Sequence, residues 1–314
     1  MRDAKRRGRG VQIVHLGLIV AWVLALNPEA MAKGMTLHLA QEWRRARHRA
    51  RWRSPSPQQR DLLREAARYA MRAAADCSAA HEQELRRRLN YSSFELVTLK
   101  ADGAKVWLLR EVSRARHGGG LYAFRCGAAR PWLLQAPHAF FDVGSGLLVR
   151  KLFMESGARA AFWNTVHRYR ALPGERREDR VHPADVAHQF GSLFHAVTMG
   201  AATASTKDAP LKVIQVHGSD LSRERFDVVV SYGQRRPLAA ALGVALGPSL
   251  GRVAVYGRDM HRLGGTTNVQ GIALRRAGVG HFLHLELSRP AREILKKRRK
   301  KRAGLISALA GPWP

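Results

Sequence analysis

Apolar positions along this 314-residue chain change their period near residue 93 and again near residue 131. Between residues 57 and 89 they recur at helical spacing. Leu62, Leu63, Ala66, Tyr69 and Ala70 share one face, and Arg60, Arg64, Arg68 and Arg72 point away from it. Ser56 reads as an N-cap, Pro57 as the first helical residue and Gln59 as the capping-box partner, so a helix is predicted from Pro57 to about Leu89. From Phe94 the segments are short and strand-like. Phe94–Lys100 and Lys105–Arg110 flank Asp102-Gly103, which predicts a hairpin with its turn at that dipeptide, and Leu121–Arg125 reads as a further strand. Beyond Pro131 the chain alternates. Strands are predicted at 132–136, 159–163, 211–216, 226–231, 252–256 and 281–287, and helices at 145–156, 185–204, 237–246 and 290–304. That alternation predicts an α/β fold of three layers: a mostly parallel mixed sheet with helices on both faces, preceded by a helical segment and the hairpin. In such sheets ligands bind at the C-terminal ends of strands.

The N-terminus has the order of a secretory signal. Arg2, Lys5, Arg6, Arg7 and Arg9 precede the apolar run Leu16–Leu26, and Ala30-Met31-Ala32 follows as a small-x-small site. The run is short for a membrane span. The division expected is a signal peptide over 1–32, a basic helical segment over 33–92, an α/β domain over 93–304 and a tail over 305–314, with export to the periplasm or the exterior. Cys77 and Cys126 fit either a disulfide in an exported protein or two buried thiols.

Charge changes the picture next. Lys and Arg number 54 against 24 acids, a net +30. Such a surface attracts polyanions or anionic membranes, although a compositional bias toward Arg gives the same count. The run Lys296–Arg302 reads as the solvated end of the last helix and as a candidate contact with an anionic envelope surface. Export and the lack of a recognisable binding motif count against a specific nucleic-acid partner.

The candidate chemistry lies in three stretches that end strand-like runs: Pro137-His138 through Asp142, Val216-His217-Gly218, and His284-Leu285-Glu286-Leu287-Ser288-Arg289. Besides His284 they supply two histidines, a carboxylate and a further Glu. Zinc takes ligands of this type, and a catalytic site keeps a position open. Each residue taken alone has an ordinary alternative: a core histidine bonded to backbone, an Asp that caps the next helix, or the wet face of an edge strand. Gly218 is expected to let the backbone turn sharply after His217. Asp185 with His188 reads either as a group supporting a ligand or, as preferred here, as a helix cap.

The order His-x-x-x-acid, strand–His-Gly and a late Leu-Glu-Leu-Ser-Arg resembles the zinc carboxypeptidase superfamily, in particular its poly-γ-glutamate hydrolase-like branch. The late Glu strand is also similar to that of N-formylglutamate amidohydrolases. The stretch Gly264 to Gly271, which carries Asn268, precedes that strand as in the branch. The resemblance covers roughly residues 130–295. It implies that His138, Asp142 and His217 hold zinc and that Glu286 is the general base. Two features depart from the pattern. The carboxylate is the shorter Asp, placed one residue further on than in His-x-x-Glu, and no Asn-Arg pair stands between the two histidines. The nearest substitutes for binding a substrate carboxylate are Arg168 and Arg170, and Asn268 is a further candidate for binding substrate. The function expected is that of an exported zinc metallohydrolase, carboxypeptidase- or amidohydrolase-like. It would cleave an amide bond in an anionic, glutamate-rich or cell-wall peptide, or in an N-acyl amino acid. The alternative is a non-enzymatic envelope protein that binds anionic polymer. The sequence leaves the oligomeric state open.

Overall fold

The computed structural model describes residues 28–47, 52–101, 103–113, 117–170, 182–206, 209–234, 240–311 and 313. The basic stretch and apolar run of the predicted signal, and Asp102 of the predicted turn, lie outside the described residues. Among those described, no helix is long and apolar enough to cross a membrane.

Three helices come first: α1 (Pro28–Arg47), α2 (Pro57–Ala73) and α3 (Ala79–Leu89). The capping box on α2 is present, with Ser56 Oγ accepting from the Gln59 N–H at 3.1 Å and Gln59 Oε1 accepting from the Ser56 N–H at 2.9 Å. The single helix expected to Leu89 is instead two. Cys77 has a positive φ of 51° between them, and Ser78 caps the second. The break is tied down by a disulfide from Cys77 to Cys126, which settles the cysteine alternative in favour of a bridge.

Nine strands then form one sheet, in the order β1-β2-β3-β5-β4-β6-β9-β7-β8. They are β1 (Phe94–Ala101), β2 (Ala104–Glu111), β3 (Leu121–Arg125), β4 (Arg130–Ala136), β5 (Ala158–Trp163), β6 (Lys212–Gly218), β7 (Val228–Ser231), β8 (Val253–Val255) and β9 (His281–Leu287). The central strands β5, β4, β6 and β9 are parallel. The hairpin continues the same sheet, with β3 antiparallel to β5, and β7 runs antiparallel to β9.

The remaining helices are α4 (Ser145–Ser156), α5 (Leu193–Ala202), α6 (Ala240–Leu250), α7 (Val269–Ala277), α8 (Arg289–Lys297) and α9 (Arg299–Ala310). Alternate residues of each central strand feed opposite cores. Leu134, Ile214, Val216, Leu283, Leu285 and Leu287 join the layer of α1, α4, α6, α8 and α9. Leu133, Val213 and Phe282 join that of α2, α3, α5 and α7. The three-layer reading therefore holds.

Three element boundaries differ from expectation. Residues 182–192 form turns, and helix α5 starts only after Ser192, whose hydroxyl accepts from the His195 N–H at 3.1 Å. The predicted last helix breaks at Arg298, so the basic run spans two helices. Arg302 is not solvated. It is buried and pairs with Glu155 at 2.6 and 2.8 Å. Helix α7 follows a loop to which the sequence pattern assigned no helix. Its N-cap is Asn268, whose Oδ1 accepts from the N–H groups of Gln270 and Gly271.

The chain runs from β4 through α4 to β5 on one side of β4, then through α5 to β6 on the other side. The connections diverge at the C-terminal ends of β4 and β6 and leave a crevice there, where ligands bind in open α/β sheets.

The disulfide closes a loop with a sequence separation of 49 residues. Replacing Cys77 and Cys126 by Ser should lower stability by about 2–4 kcal/mol. Urea unfolding should show this loss, and added reductant should reproduce it in the wild-type protein. Equal midpoints with and without reductant would contradict it.

Candidate metal centre

His138 follows β4, His217 lies near the end of β6, and both open onto the crevice. Between β4 and α4 the chain makes a helix-like turn in which the Asp142 N–H donates to the His138 carbonyl at 2.8 Å. Residues four apart share a face in such a turn, which is why the longer His-x-x-x-Asp spacing still brings the two side chains together. Asp142 does not cap α4, whose N-cap is Gly144 with no side-chain bond.

The geometry at the centre is compact. His138 Nδ1 and His217 Nδ1 lie 3.2 Å apart, and Asp142 Oδ2 is 3.4 Å from His217 Nδ1 and 3.6 Å from His138 Nδ1. Ligand atoms about 2.0–2.1 Å from a tetrahedral zinc are separated by about 3.3–3.4 Å. All three residues are buried, and Asp142 Oδ2 has no hydrogen-bond partner.

The far nitrogens of both imidazoles are engaged. His138 Nε2 donates to Asp185 Oδ1 at 2.8 Å, and His217 Nε2 donates to Gln215 Oε1 at 3.0 Å. Each neutral ring therefore turns a lone pair toward the other and toward the Asp142 oxygen. Three electron-rich atoms facing one buried point fit a cation. A proton on His138 is the other occupant, but Asp142 Oδ2 at 3.6 Å is too far for a good hydrogen bond.

The direction of the Gln215 amide is set from two sides. Gln270 Nε2 donates to the Val186 carbonyl at 2.8 Å, so its Oε1 faces Gln215 Nε2 at 3.2 Å. Asn268 Oδ1 caps α7, so its Nδ2 faces Gln215 Oε1 at 2.7 Å. Gln215 Nε2 also donates to Gln135 Oε1 at 2.8 Å. The Gln215 oxygen must therefore accept, which fixes the tautomer of His217. Sheet register aligns this row: Gln135, Gln215 and His284 are neighbours on β4, β6 and β9, and His217 pairs with Glu286 one step further on.

Asp185 does not cap a helix. It sits in the 182–192 turns and takes bonds from His138, from Arg168 and, at 3.1 Å, from His188 Nδ1. His138, Asp185 and His188 also cluster closely enough for a metal. There, however, the carboxylate already accepts from His138 and His188 at one oxygen and from Arg168 at the other, unlike the orphaned oxygen of Asp142.

Glu286 lines the same cavity, whose volume is about 290 Å³. It accepts from His284 Nε2 at 3.0 Å. The sequence pattern gave His284 no role; its place at i−2 on the polar face of β9 was the available signal. Gly265 lets its loop approach: its φ is +61°, and a Cβ there would lie 2.7 Å from the His284 ring. Arg168 lines the cavity too, with Nη1 3.4 Å from His138 Nδ1 and its other end held by Asp185. Asn268 is in the wall, but both ends of its amide are engaged in the network beneath. Arg170 is exposed and outside the cavity lining.

Burial disfavours the His138 imidazolium, yet the carboxylates of Asp142 and Asp185 outweigh it and raise the pKa of this ring. Burial and the neighbouring His284 lower that of His217 to about 4. Burial pushes the Asp142 and Asp185 carboxyls up, but their histidine partners win and hold both well below the usual range. Burial likewise opposes ionisation of Glu286, and the bond from His284 wins, so this carboxylate is ionised at neutral pH.

No protein-family model matches this chain, and no curated protein matches it in sequence. Several solved structures are similar in fold. The N-formylglutamate amidohydrolase of Ralstonia eutropha has a TM-score of 0.38 at 16% identity, over 61% of this chain and 94% of its own. A bacteriophage poly-γ-glutamate hydrolase has 0.37 at 15% identity, over 57% of this chain and 80% of its own. The Legionella pneumophila aminopeptidase LapA has 0.37 at 10% identity, over 100% of this chain and 81% of its own.

Two outcomes follow for metal binding. Asp185→Asn should weaken zinc about 10–100-fold in competition with a chelator, because it loosens the hold on His138. Zinc uptake must displace the proton that His138 carries below its raised pKa. Affinity should therefore fall, by up to about tenfold per pH unit, as pH drops through the raised pKa of His138, with the fall beginning above the ordinary imidazole range. The slope should steepen below about 4, where His217 also protonates. A pH-independent affinity between 5 and 7 would refute this ligand assignment.

Proposed function

We propose that the protein is an exported zinc metallohydrolase that cleaves an amide bond in an anionic, glutamate-rich or cell-wall peptide or in an N-acyl amino acid. The observation that carries this reading is the triangle of His138 Nδ1, His217 Nδ1 and Asp142 Oδ2, with edges of 3.2, 3.4 and 3.6 Å. It is joined by Glu286 on the adjacent strand in register with His217. A zinc ion held by these three residues supplies Lewis acidity, lowering the pKa of water and polarising a carbonyl.

The other parts are the chain's own. Glu286, ionised and aimed by His284, takes a proton from the attacking water and passes it to the leaving amine. Arg168, fixed at one end by Asp185, presents its other edge to the cavity, where it can steady negative charge growing on the substrate oxygen. The loop Gly264–Asn268 forms one wall of the cavity.

Export is supported by the basic N-terminal stretch ahead of Leu16–Leu26 and by the disulfide, which persists in oxidising compartments. The net +30 favours an anionic substrate and anionic surroundings, with the exposed part of the 296–302 run as one contact. The same charge favours the second reading, a non-enzymatic protein that binds anionic envelope polymer.

Elemental analysis separates the two, with about one zinc per chain expected for the enzyme. His217→Ala should lose the metal. Glu286→Gln should keep it and lose at least about 100-fold in turnover on any amide substrate found. A folded protein that takes up no zinc would sink the hydrolase reading, and near-normal turnover by Glu286→Gln would remove its assigned role.

A further inference from the structure

Beside the metal cavity lies a second and larger chamber of about 650 Å³, and the two share Asp142 and Gly218 as a common wall. Among its charged side chains two acids are paired with arginines, and Asp220, exposed, forms no ion pair among the described residues. Arg252 pairs with Asp227 at 3.1 Å, Glu224 pairs with Arg262, and Asp220 Oδ1 accepts from the Ser222 N–H at 2.9 Å.

Two arginines on the first turn of α8 are not matched. Arg292 is only 6% exposed, yet it forms no ion pair among the described residues. Its Nε donates to the Val143 carbonyl at 3.0 Å and its Nη1 to the Leu287 carbonyl, which leaves Nη2 without a partner among those residues. Arg289, exposed, lines the same chamber and makes no ion pair there either. Buried charge without a counter-charge is costly. The acids around it are Asp142, Glu286 and Glu293, and none is within ion-pair distance: Asp142 faces the proposed metal point, Glu286 accepts from His284, and Glu293 pairs with Lys296.

The wall is shaped for this guanidinium. Gly218 does not have a positive φ, so the sharp turn expected after His217 is not its reason. A Cβ at 218 would lie 2.1 Å from Arg292 Nη1, and glycine is needed for that approach. The N-terminal end of α8, capped by Ser288, opens into the same space, as does Ser219, whose hydroxyl is buried and unpartnered. A helix N-terminus favours negative charge, and the planar fork of Arg suits a carboxylate.

We infer that this chamber is the subsite for a carboxylate of the substrate, held by Arg292 and Arg289 on the Gly218 side of the metal centre. The inference rests on the hydrolase reading for what the carboxylate belongs to. It places acidic recognition at α8, away from Arg168 and Arg170. A substrate then crosses the Asp142–Gly218 wall, with its amide over the metal cavity and an acidic side chain or terminal carboxylate in the chamber.

Glutarate is the probe, with neutral glutaramide as its control. Calorimetry is run on the full chain, before and after removal of metal by a chelator, with zinc content measured on the same samples. Glutarate should bind in both states, and glutaramide should not. Arg289→Glu, an exposed change that leaves the packing intact, should weaken glutarate by at least about tenfold. Arg292→Gln should abolish binding; if that variant does not fold, Arg289→Glu decides. His217→Ala should leave glutarate affinity unchanged while losing zinc. Equal affinity in Arg289→Glu and wild type would overturn the subsite, as would binding that disappears with the metal. A chain that binds glutarate through Arg289 but never takes zinc would keep the subsite and reject the hydrolase.

Discussion

The Val186 carbonyl accepts one hydrogen bond from Gln270, and that bond sets the polarity of the amides between it and His217. A backbone carbonyl cannot donate. Gln270 must therefore present its oxygen to Gln215, and Gln215 must present its own oxygen to His217 and Asn268. The N-cap of α7 imposes the same answer from the other side. Without it, either ring nitrogen of His217 could carry the proton, and the lone pair that faces Asp142 and His138 would be a matter of chance. The network is fully buried, where an unmatched polar group costs most, so its orientation is strongly specified.

The site is thus built in layers at the C-terminal ends of the central strands. The row Gln135–Gln215–His284 forms a floor, and the next step along the strands carries His217 and Glu286. The turns at 137–144 and 182–192 then bring Asp142 and Asp185 down from either side. Carboxylates hold one histidine and amides hold the other, so the two rings differ in electrostatics. His138 is biased toward its charged form and His217 away from it. Asp142 stays ionised between them.

The large positive charge has more than one use inside the molecule. Arg302 is an internal brace that joins α9 to Glu155 of α4 and to the end of α8. Arg168 is held by Asp185, and Arg292 closes the wall between two cavities. A helical row of arginines such as Arg68 and Arg72 is, by contrast, exposed. Composition alone treats all of these as equivalent, because it counts charge and does not see burial.

Much of this protein was decided by local pattern. Strand periodicity located all six strands after Pro131, since alternate apolar residues must face a core on at least one side. The Ser56–Gln59 cap is a contact within one turn, and His138, His217 and Glu286 stood out as candidates because each lies at the end of a strand whose apolar run is visible; their grouping with Asp142 came from the family resemblance. The tertiary structure decided what depends on residues distant in sequence. It turned Asp185 from an expected cap into the partner of His138, 47 residues away. It gave Gly218 its reason through Arg292, and it joined Cys77 to Cys126. It also left Arg170 outside the cavity and committed the Asn268 amide to the floor beneath it. Hydrophobic periodicity records which face of an element is buried. It holds no information about which polar groups from separate elements will meet, because that is fixed only when the chain is packed.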